Sequence, residues 1–186
     1  MKQLWKPGTM IYPAPAVLVS CGTPQHNNFL TVAWTGTICT NPAMCSISIR
    51  PERYSYGLIM DTMEFTINLT TEKMAYATDL AGVKSGRDID KWAVTGLTPE
   101  PGVNVGCPMI GESPLSIECR VQETINLGSH DLIIAHVAGI LADEQYFDAD
   151  TQAFDLEKAR LIAYSHGAYY SLGNKIGRFG WSVKKK

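Results

Sequence analysis

Arg50 and Arg53 stand three residues apart beside Ser55 in the run SIRPERYSYG, and a second donor-rich stretch, Lys84, Ser85 and Arg87, lies in VKSGRDIDK. Arginine forks, hydroxyls and ammonium groups are what a phosphate recruits, because charge-assisted hydrogen bonds are its strongest contacts. Ser55 falls where a helix would begin, and the free N–H groups of a helix N-terminus attract the same anion. Just upstream, TVAWTGTICT carries Thr31, Thr35 and Thr37 with the small residues Ala33 and Gly36. Small side chains let a flat ring approach the backbone, and hydroxyls suit a polyol or a phosphate. Taken locally, these residues fit equally a solvated surface, with charges in water and threonines on an exposed strand. A small ligand with an aromatic ring and a phosphate tail accounts for both stretches at once.

Other chemistries lack their residues. His130 and His136, six positions apart on one predicted strand, would sit about 20 Å from each other at ~3.3 Å per residue, too far to share an ion. No CxxC, HxH or HExxH spacing exists, so a structural zinc site is not expected. There is no GxSxG, no GxxxxGK[ST], and no GxGxxG between a strand and a helix, so neither a marked nucleophile nor a common nucleotide loop is present.

The elements that must position these groups are mostly strands. AVLVSC (16–21) reads as a first strand, followed by the turn GTPQHNN. FLTVAWTG alternates, with Leu30, Val32 and Trp34 opposite Thr31, Ala33 and Thr35. MCSISIR places Cys45, Ile47 and Ile49 on one face and Ser46, Ser48 and Arg50 on the other. RYSYGLIMDT predicts a short helix with Ser55 as N-cap. EFTINLT turns Phe65, Ile67 and Leu69 inward, and Thr66 and Asn68 outward. TEKMAYATDLAG predicts a helix ending on Gly82, and SGRDIDKWAVTG a second short one. LSIECRVQETINLG and HDLIIAHVAGILAD predict two long strands joined at Gly128–Ser129. DLEKARLIAY fits either a helix or a passage into a strand. The tail SHGAYYSLGNKIGRFGWSV is too rich in glycine for a stable helix. At least six closely spaced strands without regular βαβ alternation predict an antiparallel barrel with added helices in one domain spanning 1–186.

The chain has 186 residues, 45% hydrophobic and 18% charged, which is enough to build a core without a disordered composition. Its net charge of −2 argues against general nucleic-acid binding, which needs a basic face. The closing VKKK reads as a solvated basic tip. No apolar run approaches the roughly 18 residues of a membrane span, and Pro7, Pro13 and Pro15 interrupt the N-terminal run before signal-peptide length. Five irregularly spaced cysteines predict reduced thiols in a cytoplasmic protein.

The run NNFLTVAWTGTICTNPAMCSISIRPERYSYGLI, followed by EFTINL, resembles the flavin reductase-like FMN-binding split-barrel family in its flavoredoxin branch. KSGRDIDKWAVTGLTP, SPLSIECRV with LGSHDLIIAHVAGI, and YYSLGNKIGRFG match that branch in order, so the resemblance spans nearly the whole chain. It implies a mainly β fold, a six-stranded antiparallel Greek-key split barrel with short helices in the connections, usually a homodimer with FMN near the subunit interface. It implies an FMN-binding oxidoreductase that takes electrons from NADH or NADPH and passes them to free flavin, ferric complexes or a redox partner protein. The branch also includes electron carriers with no nicotinamide site of their own. By matching position, Ala33, Trp34, Thr35 and Gly36 would line the isoalloxazine ring, and Thr37 its ribityl or phosphate end. Arg50 and Ser55 would bind phosphate, helped by Arg53 and by Lys84. Asn68 would stand near the flavin. His130 in GSHD matches a family histidine close to the flavin or nicotinamide, the candidate catalytic residue.

Overall fold

The computed structural model describes residues 1–183; the basic tip at 184–186 lies outside the described residues. After a two-residue strand β1 (Ala14–Pro15), strand β2 (Val17–Thr23) is buried on both faces, and that sets the layering of the molecule. Successive side chains of a strand point to opposite faces. Val17, Val19 and Cys21 therefore enter one core, while Leu18 enters a second.

The first core fills a barrel. Its strands are β2, β3 (His26–Val32), β4 (Thr35–Thr40), β5 (Ala43–Ile49) and β6 (Glu64–Asn68), followed after a small hairpin of β7 (Pro99–Glu100) and β8 (Met109–Ile110) by the long pair β9 (Leu115–Asn126) and β10 (Asp131–Ala142). All pairings are antiparallel, in the order β3-β2-β6-β9-β10-β5-β4. The two edges of this sheet, β3 and β4, are consecutive in the chain and separated only by Ala33 and Trp34. Counted as one bent strand they give six, and the chain itself bridges the seam that hydrogen bonds leave open. Because β6 returns beside β2 after the meander of β2, β3/β4 and β5, the connection is a Greek key. The fold is thus the antiparallel split barrel expected from the sequence. In the sheet itself, FLTVAWTG is two strands, not one.

Helix α1 (Tyr54–Thr62) contributes Leu58 and Ile59 to the barrel core. The second core lies on the other face of β2 and β3. There α2 (Ala75–Val83), and Leu97 just beyond α3 (Lys91–Thr95), cover Leu18 and Phe29, with the Trp92 ring 4.5 Å from that of Phe29. A separate small sheet joins β1, β11 (Ile162–Ser165) and β12 (Ala168–Ser171), so the DLEKARLIAY stretch ends in a strand.

Three local expectations are corrected. Arg53, with extended backbone, is the N-cap of α1 and makes no side-chain cap bond; Ser55 lies inside the first turn and is buried. In SGRDIDKWAVTG only Lys91–Thr95 is helical, because the Asp90 carboxylate accepts hydrogen bonds from the N–H groups of Trp92 and Ala93 and so starts the helix there. Thr66 and Asn68 do not face solvent: both are fully buried beneath the second layer. Four of the five cysteines are buried; burial pushes the Cys21 thiol up to about 12, which makes it a poor nucleophile.

Candidate functional site

The N-terminus of α1 and the C-terminus of α2 meet at one place, and the cations converge there. A cavity of about 370 Å³ is lined by Arg50, Arg53, Lys84, Arg87 and Lys91, with Glu52 the only acid, and by Asn28, Tyr54, Ser55, Ser85 and Gly86. Arg50, Arg53, Arg87 and Lys91 are each held by a different tether. Arg50 pairs with Glu52 at 3.3 Å. Arg53 donates to the Gly82 carbonyl, and Lys91 donates to the Ala81 and Phe29 carbonyls, both at 2.8 Å. Gly82 and Ala81 belong to the last turn of α2, whose free carbonyls and dipole favour positive charge. Arg87 donates to the Glu52 carbonyl and lies over the Tyr54 ring, 5.6 Å from its centroid.

Lys91 is 3% exposed, and burial, with the Arg53 charge nearby, pushes its ammonium down to about 8. Two of its three N–H groups are taken by carbonyls, which leaves one for a ligand. Ser55 is oriented from behind: its hydroxyl accepts from the Asn28 amide at 2.7 Å. With no side-chain cap and no acid in its first turn, α1 presents free N–H groups to this cavity. The whole arrangement suits a phosphate.

Arg50, Arg53 and Leu30 also line a second cavity, of about 150 Å³, whose other walls include Ala33, Trp34, Ser48 and His130. The two cavities are therefore neighbouring parts of one groove, cationic at one end and aromatic at the other. The Trp34 and His130 rings lie 4.7 Å apart at the aromatic end. His130 sits in the tight turn between β9 and β10, which Leu127 N–H closes by donating to the His130 carbonyl.

The groove brings together Ala33, Trp34, Arg50, Arg53, Ser55, Lys84 and His130 of the residues expected from sequence. Thr35 lines an adjoining apolar cavity and donates its hydroxyl to the Ser46 carbonyl. Gly36 and Thr37 stand on the exposed edge strand β4 and line none of these cavities. Asn68 is corrected outright. Its amide oxygen accepts from Ile110 N–H and the Ser116 hydroxyl, and its nitrogen donates to the Leu18 carbonyl and the Ser20 hydroxyl. It ties β2, β6, β8 and β9 together and has nothing left for a ligand. Lys91, Asn28 and Tyr54 are site residues that local sequence did not mark.

No cluster of three or more metal-ligating side chains occurs among the described residues, and no helix of the described residues is long and apolar enough to cross a membrane. His136 lies on β10, apart from the groove.

Residues 9–173 match the flavin reductase like domain. An uncharacterised protein of Pyrococcus abyssi is 30% identical over 139 residues, covering 75% of this chain and 80% of its own. The flavoredoxin of Desulfovibrio vulgaris (Miyazaki F) superposes with a TM-score of 0.90 at 29% identity, covering 99% of this chain and 100% of that one. The flavoredoxin from Methanosarcina acetivorans superposes with a TM-score of 0.89 over 99% of this chain and 100% of its own; at 24% identity it speaks to the fold alone.

Proposed function

The chain belongs to the flavin reductase-like family, and on that footing we propose that it is an FMN-dependent oxidoreductase reduced by NADH or NADPH. Free flavin or ferric complexes would take the electrons onward. The observation that carries this reading is the shared wall of Arg50 and Arg53, which joins a five-cation cavity to the Trp34–His130 end. Such a groove matches a ligand with an anionic tail and a flat ring.

The bound isoalloxazine supplies the hydride and single-electron chemistry, so the protein needs no nucleophile of its own. Its task is to hold and to tune. Arg50, Arg53, Lys84, Arg87 and Lys91 grip the phosphate, with the Ser55 hydroxyl and the N–H groups that open α1. Ala33 and Trp34, which line the groove, would form the bed of the ring; Thr35, Gly36 and Thr37 lie outside that cavity and would meet the flavin only where it extends past Trp34 onto the exposed edge β4. Backbone N–H groups at the start of β4 that do not pair with β5 would favour negative charge on a bound ring. His130 closes the ring end on the side where a nicotinamide would approach.

A second reading, a flavin electron carrier whose bound FMN a partner protein reduces, is favoured by the near-complete overlap with the Desulfovibrio vulgaris flavoredoxin. One experiment separates the two. Purified protein should be yellow; loss of the yellow absorption within seconds of adding NADH or NADPH supports the reductase, and an unchanged spectrum supports the carrier. Colourless protein that does not bind added FMN would end both readings.

We also propose a homodimer. Leu4, Trp5, Ile176 and Phe179, on the two terminal arms, are largely exposed, large apolar side chains that a second copy of the chain would cover. Five unpaired thiols fit a reducing, cytoplasmic setting.

A further inference from the structure

A third cavity, of about 500 Å³, adjoins the aromatic end of the groove. Met10, Ile11, Pro13 and Pro15 form one wall, and Ala33, Trp34 and Thr35 form the other. It shares Ala33 and Trp34 with the ring-end cavity and no residue with the cation-lined one. Its size falls within the roughly 300–1,000 Å³ of small-molecule sites. No residue around it carries a formal charge.

That absence of charge decides what it can hold. A carboxylate or a pyrophosphate placed there would give up part of its water and meet no cation among the lining residues, so desolvation counts against it. A neutral ring loses little water and gains contact with Trp34 and the prolines, in the offset or edge-on geometry that aromatic faces favour. The cations are gathered at the other end of the groove, where the flavin phosphate would occupy them. A dinucleotide is therefore a poor occupant of this cavity.

We propose that this cavity is the site of a second, small substrate, and that the substrate is an uncharged cyclic or aromatic compound seated between Trp34 and the segment 10–15. This rests on the FMN reading, since Trp34 would form part of the flavin bed as well. The N-terminal segment is the selective wall, because Met10, Ile11, Pro13 and Pro15 enter neither hydrophobic core.

The test uses two probes of equal shape and different charge, benzamide and benzoate, titrated by calorimetry into flavin-loaded and flavin-free protein, with FMN titrated in parallel. Benzamide is expected to bind about tenfold or more tightly than benzoate, a difference of about 1.4 kcal/mol. Met10→Lys, which sets a cation in the wall, is expected to reverse that order. Equal affinity for the two probes overturns the proposal, as does an unchanged order in Met10→Lys. Binding of neither probe to protein that takes up FMN also overturns it, and would be the result if a second copy of the chain filled the cavity. Discrimination between the probes by protein that binds no FMN would uphold the neutral-ring cavity and defeat the flavin reading instead.

Discussion

Trp34, in the bend between β3 and β4, and His130, in the turn between β9 and β10, hold their rings 4.7 Å apart with a 42° tilt. Two segments nearly a hundred residues apart in sequence thereby form one wall of the groove. The imidazole is steadied on its other side by the Ser129 hydroxyl, 3.0 Å from Nδ1. His130→Ala should slow reduction of bound flavin by NADH about tenfold or more, the scale of a lost positioning contact, while FMN affinity stays within about threefold. Stopped-flow absorbance measures the first and calorimetry the second. Unchanged rates would remove His130 from the reaction.

Arg50 carries the junction of the two cavities. Arg50→Ala should weaken FMN binding by about 1.5–3 kcal/mol, the worth of a hydrogen bond to a charged group. Riboflavin, which lacks the phosphate, should bind parent and variant alike. Equal retention of FMN by both proteins after dialysis would contradict the assignment.

Lys91 makes phosphate binding depend on pH. Its ammonium in the free protein is pushed down to about 8 by burial and by Arg53, and a bound anion would raise it again. Binding above pH ~8 must then take up a proton, so FMN affinity should be full below that pH and fall as pH rises through it, up to tenfold per unit. Lys91→Met should flatten this dependence. For the fold itself the sign is opposite: below its ordinary range the lysine opposes folding, so stability should rise from pH ~8 towards 10 as the unfolded chain keeps the proton longer.

Gly86 lets the lysine-bearing loop close against the barrel. A Cβ there would lie 2.4 Å from the Asn28 side-chain oxygen and 2.7 Å from the Tyr54 ring. Gly86→Ala should therefore displace residues 84–87 and cost about 1–3 kcal/mol in stability, with a weakened grip on phosphate. Thermal denaturation and FMN titration read the two effects.

Asn68 should behave as a structural residue. Asn68→Leu strands Ile110 N–H and the Ser116 hydroxyl in the interior, each at roughly 1–3 kcal/mol, so melting should fall by several degrees. The flavin spectrum of whatever protein remains folded should not change. A spectral shift at full stability would restore Asn68 to the site.

What the sequence disclosed follows from the range over which each signal acts. Arg50, Arg53 and Lys84 were legible because cations and hydroxyls crowd short stretches of chain. Alternation in MCSISIR and in the β9–β10 pair marked strands because one face must meet a core. Lys91 was not legible. Its burial comes from carbonyls of Phe29 and Ala81, 62 and 10 residues away, and nothing in DIDKW announces them. The outward face of EFTINLT was read as solvated because alternation reports only that two faces differ. The second core, built by α2 and the segment around Ile110, covers that face and turns Asn68 into a fastener. Ser55 lost its capping role for a similar reason, since Asn28 from β3 holds its hydroxyl inside the fold.

The bend at Ala33–Trp34 also fixes how many residues the chain is permitted there. Since the two halves of one strand pair with different neighbours, β2 on one side and β5 on the other, adding or deleting a single amino acid would rotate one half by a face. Leu30 and Val32 would then turn out of the interior, or Thr35 would lose its register with Ile47. Homologues should accordingly tolerate substitutions at this corner far more readily than changes in length, and a library built to alter ligand preference should vary its letters and leave its count alone.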